Sequence, residues 1–160
     1  MTVDFMVLTQ SQILDSLKLL KDDTKAIFGK MTAQHMVEHL TITMKLSIGK
    51  IKYPPFTPSE RALNAKYNLL FTELEMGMGM TPPNDTGELY PLKYPDLEKA
   101  KEALLKAWDE YIAYYAKNDG ASEVHPRFGY LNKDEWNRFH YKHFMHHFKQ
   151  FGIWVSDAKS

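Results

Sequence analysis

The stretch NKDEWNRFHYKHFMHHFKQFG, residues 132–152, sets the architecture of this chain. Asn132 followed three residues later by Glu135 is a capping-box signature, and Gly152 stands where a helix commonly ends in the left-handed conformation. The pattern predicts one helix over 132–152. It carries four of the seven histidines, His140, His143, His146 and His147, so the reading of this helix decides what the histidines do. At about 100° per residue, His140, His143 and His147 fall within an arc of roughly 60°. Trp136, Phe139, Gln150 and Phe151 share that side, which makes it the face that packs inward. His146 points away from it. His143 and His147 are i and i+4, one turn apart, a spacing from which two imidazoles can reach one ion.

Three more long helices are predicted upstream. Over residues 9–23, Ile13, Leu14, Leu17 and Leu20 recur at helical spacing, with Thr9 or Ser11 as cap. Over 30–50, Thr32 is the cap, Met36, Val37, Leu40, Met44 and Ile48 form the stripe, and Gly49 is the stop. Over 94–120, Asp96 caps, Leu97, Leu104, Trp108 and Ile112 recur on one side, and Gly120 closes the helix. Residues 51–95 differ in kind. They hold seven of the eight prolines, which forbid one long helix, and the run EMGMGMTPPNDTG. A shorter helix over 59–75, capped by Ser59, fits within them. Met76, Met78 and Met80 are too few for a methionine metal motif. The predicted fold is all-α, a single domain over 1–160: an up-down four-helix bundle with a long, proline-rich crossover between helices two and three.

Composition bounds the function. Lys plus Arg equals Asp plus Glu at 20 each, so net charge argues for neither nucleic acid nor an anionic membrane as partner. No cysteine is present, so any transition-metal site must use His, Asp, Glu and water. No basic-then-apolar leader opens the sequence and no apolar run reaches the roughly 18 residues of a membrane span. The expected location is cytoplasmic.

The second helix repeats the histidine spacing, with His35 and His39 at i and i+4 in QHMVEHL. His39 falls beside the Met36–Leu40 stripe. If helices two and four adjoin, His39, His143 and His147 meet in the interior. Three neutral imidazoles leave at least one coordination position open, as in reactive rather than closed structural sites. Such a set suits zinc, nickel, iron or cobalt as the divalent metal. Buried imidazoles that lack partners are costly, which favours a shared ion over a plain core. Against it, an HxxxH pair alone is a weak signal, and the Glu of an HExxH motif is missing. Glu38 points about 100° from His39 and is a poor base. His35 reads as a support or structural residue, His140 as either a site neighbour or an aromatic-packing residue, and His146 as surface. His125, in HPRFG before the last helix, reads as a loop hydrogen-bonding residue. Tyr111, Tyr114 and Tyr115 read as a core or interface patch.

Three segments carry a resemblance. GKMTAQHMVEHL, HFMHHFKQF and the longer HPRFGYLNKDEWNRFHYKHFMHHFKQFG resemble the DinB-like superfamily of metal-binding four-helix bundles, which includes bacillithiol- and mycothiol-dependent transferases, and within it a branch of unassigned function. The resemblance implies that His39, His143 and His147 are the metal ligands, and matches Gln150 to the family's following Gln. Lys149 stands where many members have a small residue, and no thiol-cofactor pocket is identifiable in 51–95. The resemblance also implies a homodimer, and a metal-dependent enzyme of hydrolase or thiol-transferase type acting on a small molecule. The other class of function is a non-catalytic, stress-related metal- or ligand-binding bundle.

Overall fold

Among the described residues five helices form, and each is started by the same local device. A computed structural model describes residues 7–77 and 89–156. In order they are α1 (Gln10–Leu19), α2 (Ala33–Leu46), α3 (Glu60–Phe71), α4 (Leu97–Lys117), β1 (Ser122–His125), β2 (Gly129–Asn132) and α5 (Lys133–Gln150). Thr9, Thr32, Ser59, Asp96 and Asn132 each precede a helix, and each side chain accepts the backbone N–H three residues on. Such a cap satisfies one orphan donor and contributes about 1 kcal/mol. At α1 and α5 the cap is reciprocal, since Gln12 and Glu135 reach back to the cap residue's own N–H. Thr9, not Ser11, therefore caps α1. Met78, Met80, Pro82 and Pro83 lie outside the described residues.

The far ends are less regular. α5 closes in a Schellman motif: Ile153 N–H donates to Phe148 O, Gly152 N–H donates to Lys149 O, and Gly152 has φ of 70°. α4 ends before Gly120, because Asn118 stops it with both its backbone N–H and its side-chain amide donating to Tyr114 O. α1 ends at Leu19. Leu20 turns extended, buries its side chain and gives its carbonyl to Lys101 Nζ at 2.9 Å.

α2 packs along α4, α3 along α5, and α2 also meets α5. Met36, Val37, Leu40 and Met44 of α2 are fully buried with Ala100, Leu104 and Tyr111 of α4 and Trp136, Phe144 and Phe148 of α5. Truncating one of these rings to Ala costs about 3–5 kcal/mol. Ile112 is half-exposed and Leu14 lies at the edge. On α4 the stripe runs instead through Tyr111 and Tyr115, which flank the Leu104–Trp108 line and bury their rings. Their hydroxyls donate to Asn137 Oδ1 at 2.5 Å and Ser47 O at 2.6 Å.

The β-hairpin is a departure from the all-α expectation. β1 and β2 pair antiparallel with Glu123 opposite Leu131 and His125 opposite Gly129. Pro126, Arg127 and Phe128 make the loop, and Gly129 takes φ of 75°. A Cβ at Gly129 would come 2.7 Å from Pro58 Cγ, so this glycine also lets Phe56 and Pro58 lie against the hairpin.

The segment between α2 and α4 is tied to the helices at two places, just before α4 and just after α3. Glu38 on α2 accepts from Lys93 N at 2.7 Å, Tyr94 N at 3.2 Å and Gln34 Nε2 at 2.9 Å. On α5, Lys142 Nζ donates to Thr72 O and Leu74 O, and Lys149 pairs with Glu75. No described helix is long and apolar enough to cross a membrane.

Candidate metal centre

His39, His143 and His147 come together, although His39 lies 104 residues from His143 in the chain. α2 supplies the first from its middle turn and α5 the other two from successive turns. One nitrogen from each ring lies within 4.8 Å of the others. His143 Nε2 is 3.0 Å from His39 Nε2 and 3.2 Å from His147 Nε2. Two nitrogens bonded to one ion at about 2.1 Å stand roughly 3.0–3.4 Å apart at ordinary coordination angles. The spacing is compatible with a metal site.

Hydrogen-bond chemistry reaches the same point independently. Gln150 Nε2 donates to Phe28 O at 2.9 Å, which turns Gln150 Oε1 towards His147 Nδ1, 2.8 Å away. His147 Nδ1 must then carry the proton, and its Nε2 a lone pair. His143 Nε2 faces that lone pair and His39 Nε2 as well. A proton on His143 Nε2 makes one good bond and leaves the other neighbour unserved. A lone pair there meets the lone pair of His147. No arrangement of protons on three neutral rings gives two good bonds, whereas a cation at the centre satisfies all three. His143 Nδ1 is buried without a partner.

All three rings are held neutral. Burial pushes His39 down to about 4 and His147 to about 3, with charge repulsion from neighbouring histidines adding to both. His143 is driven well below the usual range, first by burial and then by His147 and His39. Neutral imidazole is the form that ligates. His143 and His147 are buried and His39 is partly exposed. Phe139 lies 5.0 Å from His143, and Phe28 packs 5.5 Å from His146.

The remaining histidines go elsewhere. His140 Nε2 reaches Ser47 Oγ at 2.9 Å, and its ring stacks on Trp136. His125 Nδ1 accepts from Arg127 N and Phe128 N at 3.0 and 3.2 Å, closing the hairpin loop, while its ring lies on Phe128 and Phe139. His35 Nδ1 is 2.7 Å from Thr32 Oγ1 at the start of α2. His146 is half-buried beside His147 rather than fully on the surface, with a backbone hydrogen bond to Met76. Glu38 faces residues 93–94 and not the triad, as its angle implied.

A family model described as a protein of unknown function, DUF1569, matches residues 8–152. The chain belongs to that family. The matched span of DUF1569 takes in all five helices, the hairpin and the three converging histidines, and ends on the Schellman glycine. Neither a curated protein nor a solved structure matches the chain. Sequence reasoning missed one support of the cluster, the Gln150–Phe28 contact, and, away from the cluster, the Glu38 anchor of residues 93–94. Gln150 carried a signal, since it falls on the histidine face; Glu38 carried none.

Proposed function

We propose that this DUF1569 protein is a metal-dependent enzyme of the DinB-like kind, with α1, α2, α4 and α5 as an up-down bundle and residues 51–95 as the connection beside the site. The observation that carries this reading is the convergence of three ring nitrogens among which neutral rings can form only one good hydrogen bond, whereas a divalent ion would engage all three. When bound, the ion would supply Lewis-acid activation of a water or thiol. His39, His143 and His147 contribute three neutral ligands and leave positions open for a small-molecule substrate. Gln150 fixes the tautomer of His147. Phe139 shields one side of the cluster from water, and the partly exposed His39 marks the side from which a substrate approaches. Hydrolysis and thiol transfer both fit this arrangement.

A non-catalytic metal-binding protein is the second reading. It is favoured by the commitment of Glu38 to residues 93–94, which leaves no carboxylate grouped with the triad among the described residues. Elemental analysis of protein purified without a polyhistidine tag tests the shared premise. About one divalent transition metal per chain is expected, lost in His143→Ala and kept in His146→Ala. Equal loss from both variants, or a wild-type chain that takes up no offered metal, would overturn it. A substrate-conversion screen on metal-loaded protein then separates the enzyme from the binding protein.

A further inference from the structure

We infer that Gly29 is a positioning residue for the metal centre, acting through Gln150 on His147. The inference rests on His147 being a ligand, as proposed above. The turn between α1 and α2 docks on the last turn of α5 through two bonds to one residue. Ile27 N–H donates to the backbone oxygen of Gln150 at 2.7 Å, and Phe28 O accepts from its side-chain amide at 2.9 Å. The first bond satisfies an end-of-helix carbonyl. The second sets which way the amide faces, and so which atom His147 meets.

Gly29 sits directly against that amide. Its φ is 85°, and a Cβ built there would lie 2.7 Å from Gln150 Nε2. Chain neighbours aside, Gln150 Cδ, at 4.0 Å, is the one other heavy atom of the described residues within 4 Å of that position. The clash is cheap in packing, because the amide is the far end of a flexible side chain. Its consequence is specific. Swinging the amide away breaks the bond to Phe28 O, withdraws Oε1 from His147 Nδ1 and frees that ring to rotate or change tautomer. Partners of this kind that orient metal ligands change metal affinity about 10–100-fold when lost. The glycine is therefore needed for the space it leaves as well as for its backbone angle.

Two substitutions separate those needs. Asn tolerates positive φ but carries a Cβ. Gly29→Asn should lower Co2+ and Zn2+ affinity by about tenfold or more in the wild-type background, and change the visible spectrum of the Co2+ form. In a Gln150→Ala background the Cβ enters vacated space, so adding Gly29→Asn should lower affinity no further. Loss of the same size in both backgrounds would overturn the inference, because the effect would then run through the backbone. No loss in either would overturn it too. 15N shifts of His147 in the metal-free chain give a readout that survives failure of the metal reading. Protonated Nδ1 is expected in the wild type and an altered tautomer balance in Gly29→Asn. An unchanged His147 in that variant would reject the relay whether or not the wild type binds metal.

Discussion

Two groups of histidines occupy neighbouring stretches of this molecule, and they differ in where their nitrogens go. The hydrogen bonds described for His125 and His140 run to the N–H groups of the 125–129 turn and to the Ser47 hydroxyl, and none runs to another histidine. Their rings sit in an aromatic stack with Trp136, Phe128 and Phe139. His39, His143 and His147 turn a nitrogen towards one another. Burial depresses the pKa in both groups alike, to about 3 for His125 and His140. Burial and pKa therefore do not distinguish a structural histidine from a candidate ligand. The partner of the inward nitrogen does.

The largest expected effect breaks the comparison at its centre. His143→Ala should abolish stoichiometric metal binding, whereas His140→Ala should keep the metal and lose about 3 kcal/mol of stability for the vacated ring volume. Elemental analysis together with urea unfolding reads both. Loss of metal from His140→Ala would place that residue with the ligands and end the distinction.

Acid treats the groups together until metal is added. Each of the five histidines has a folded pKa below the 6.5 of an unfolded chain, at about 3 for His125, His140 and His147, about 4 for His39, and lower than usual for His143. Above pH 6.5 neither state is protonated and stability is complete. As pH falls from 6.5 towards 4, the unfolded chain binds protons that the folded chain refuses, so stability drops. Each histidine contributes up to about 1.4 kcal/mol per pH unit, and five together several times that. Metal-free protein should unfold steeply between about pH 6 and 5. Metal that binds only the folded chain should move the midpoint lower. A midpoint near pH 3, followed by circular dichroism, would show that these rings are not excluded from protonation.

The partners of the two groups should separate next. Ser47→Ala leaves the His140 N–H buried without its acceptor and should cost about 1–3 kcal/mol with metal affinity unchanged. Gln150→Ala should weaken metal binding about 10–100-fold. Calorimetric titration of both variants checks the crossing. The smallest effect belongs to His35, whose ring bonds to its own helix cap. His35→Ala should leave metal content unchanged and alter stability by no more than about 1 kcal/mol, measured by thermal unfolding.

Much of the helical framework was legible because its signals are local. Thr32, Ser59, Asp96 and Asn132 were readable as caps since the bond each makes lies three residues away. The stop at Gly152 was readable for the same reason. The hairpin was harder. Its strands are four residues each, too short for alternation to stand out, and the turn HPRFG reads equally well as a plain loop before a helix. Ile112 was assigned to the core because the helical period cannot tell the middle of a stripe from its edge.

The site divides along the same line. Sequence alone determined that His143 and His147 share a face one turn apart, because helix geometry fixes side chains at i and i+4 whatever surrounds them. It also determined that Glu38 points away from His39. Only the tertiary structure decided that His39 joins the pair, that His140 on the same arc meets Ser47 instead, that Glu38 holds residues 93 and 94, and that Gly29 clears room for the Gln150 amide. An arc of about 60° on α5 holds ring nitrogens of both kinds. Which kind each becomes depends on the element packed opposite it at that height, and helical periodicity carries no record of that neighbour.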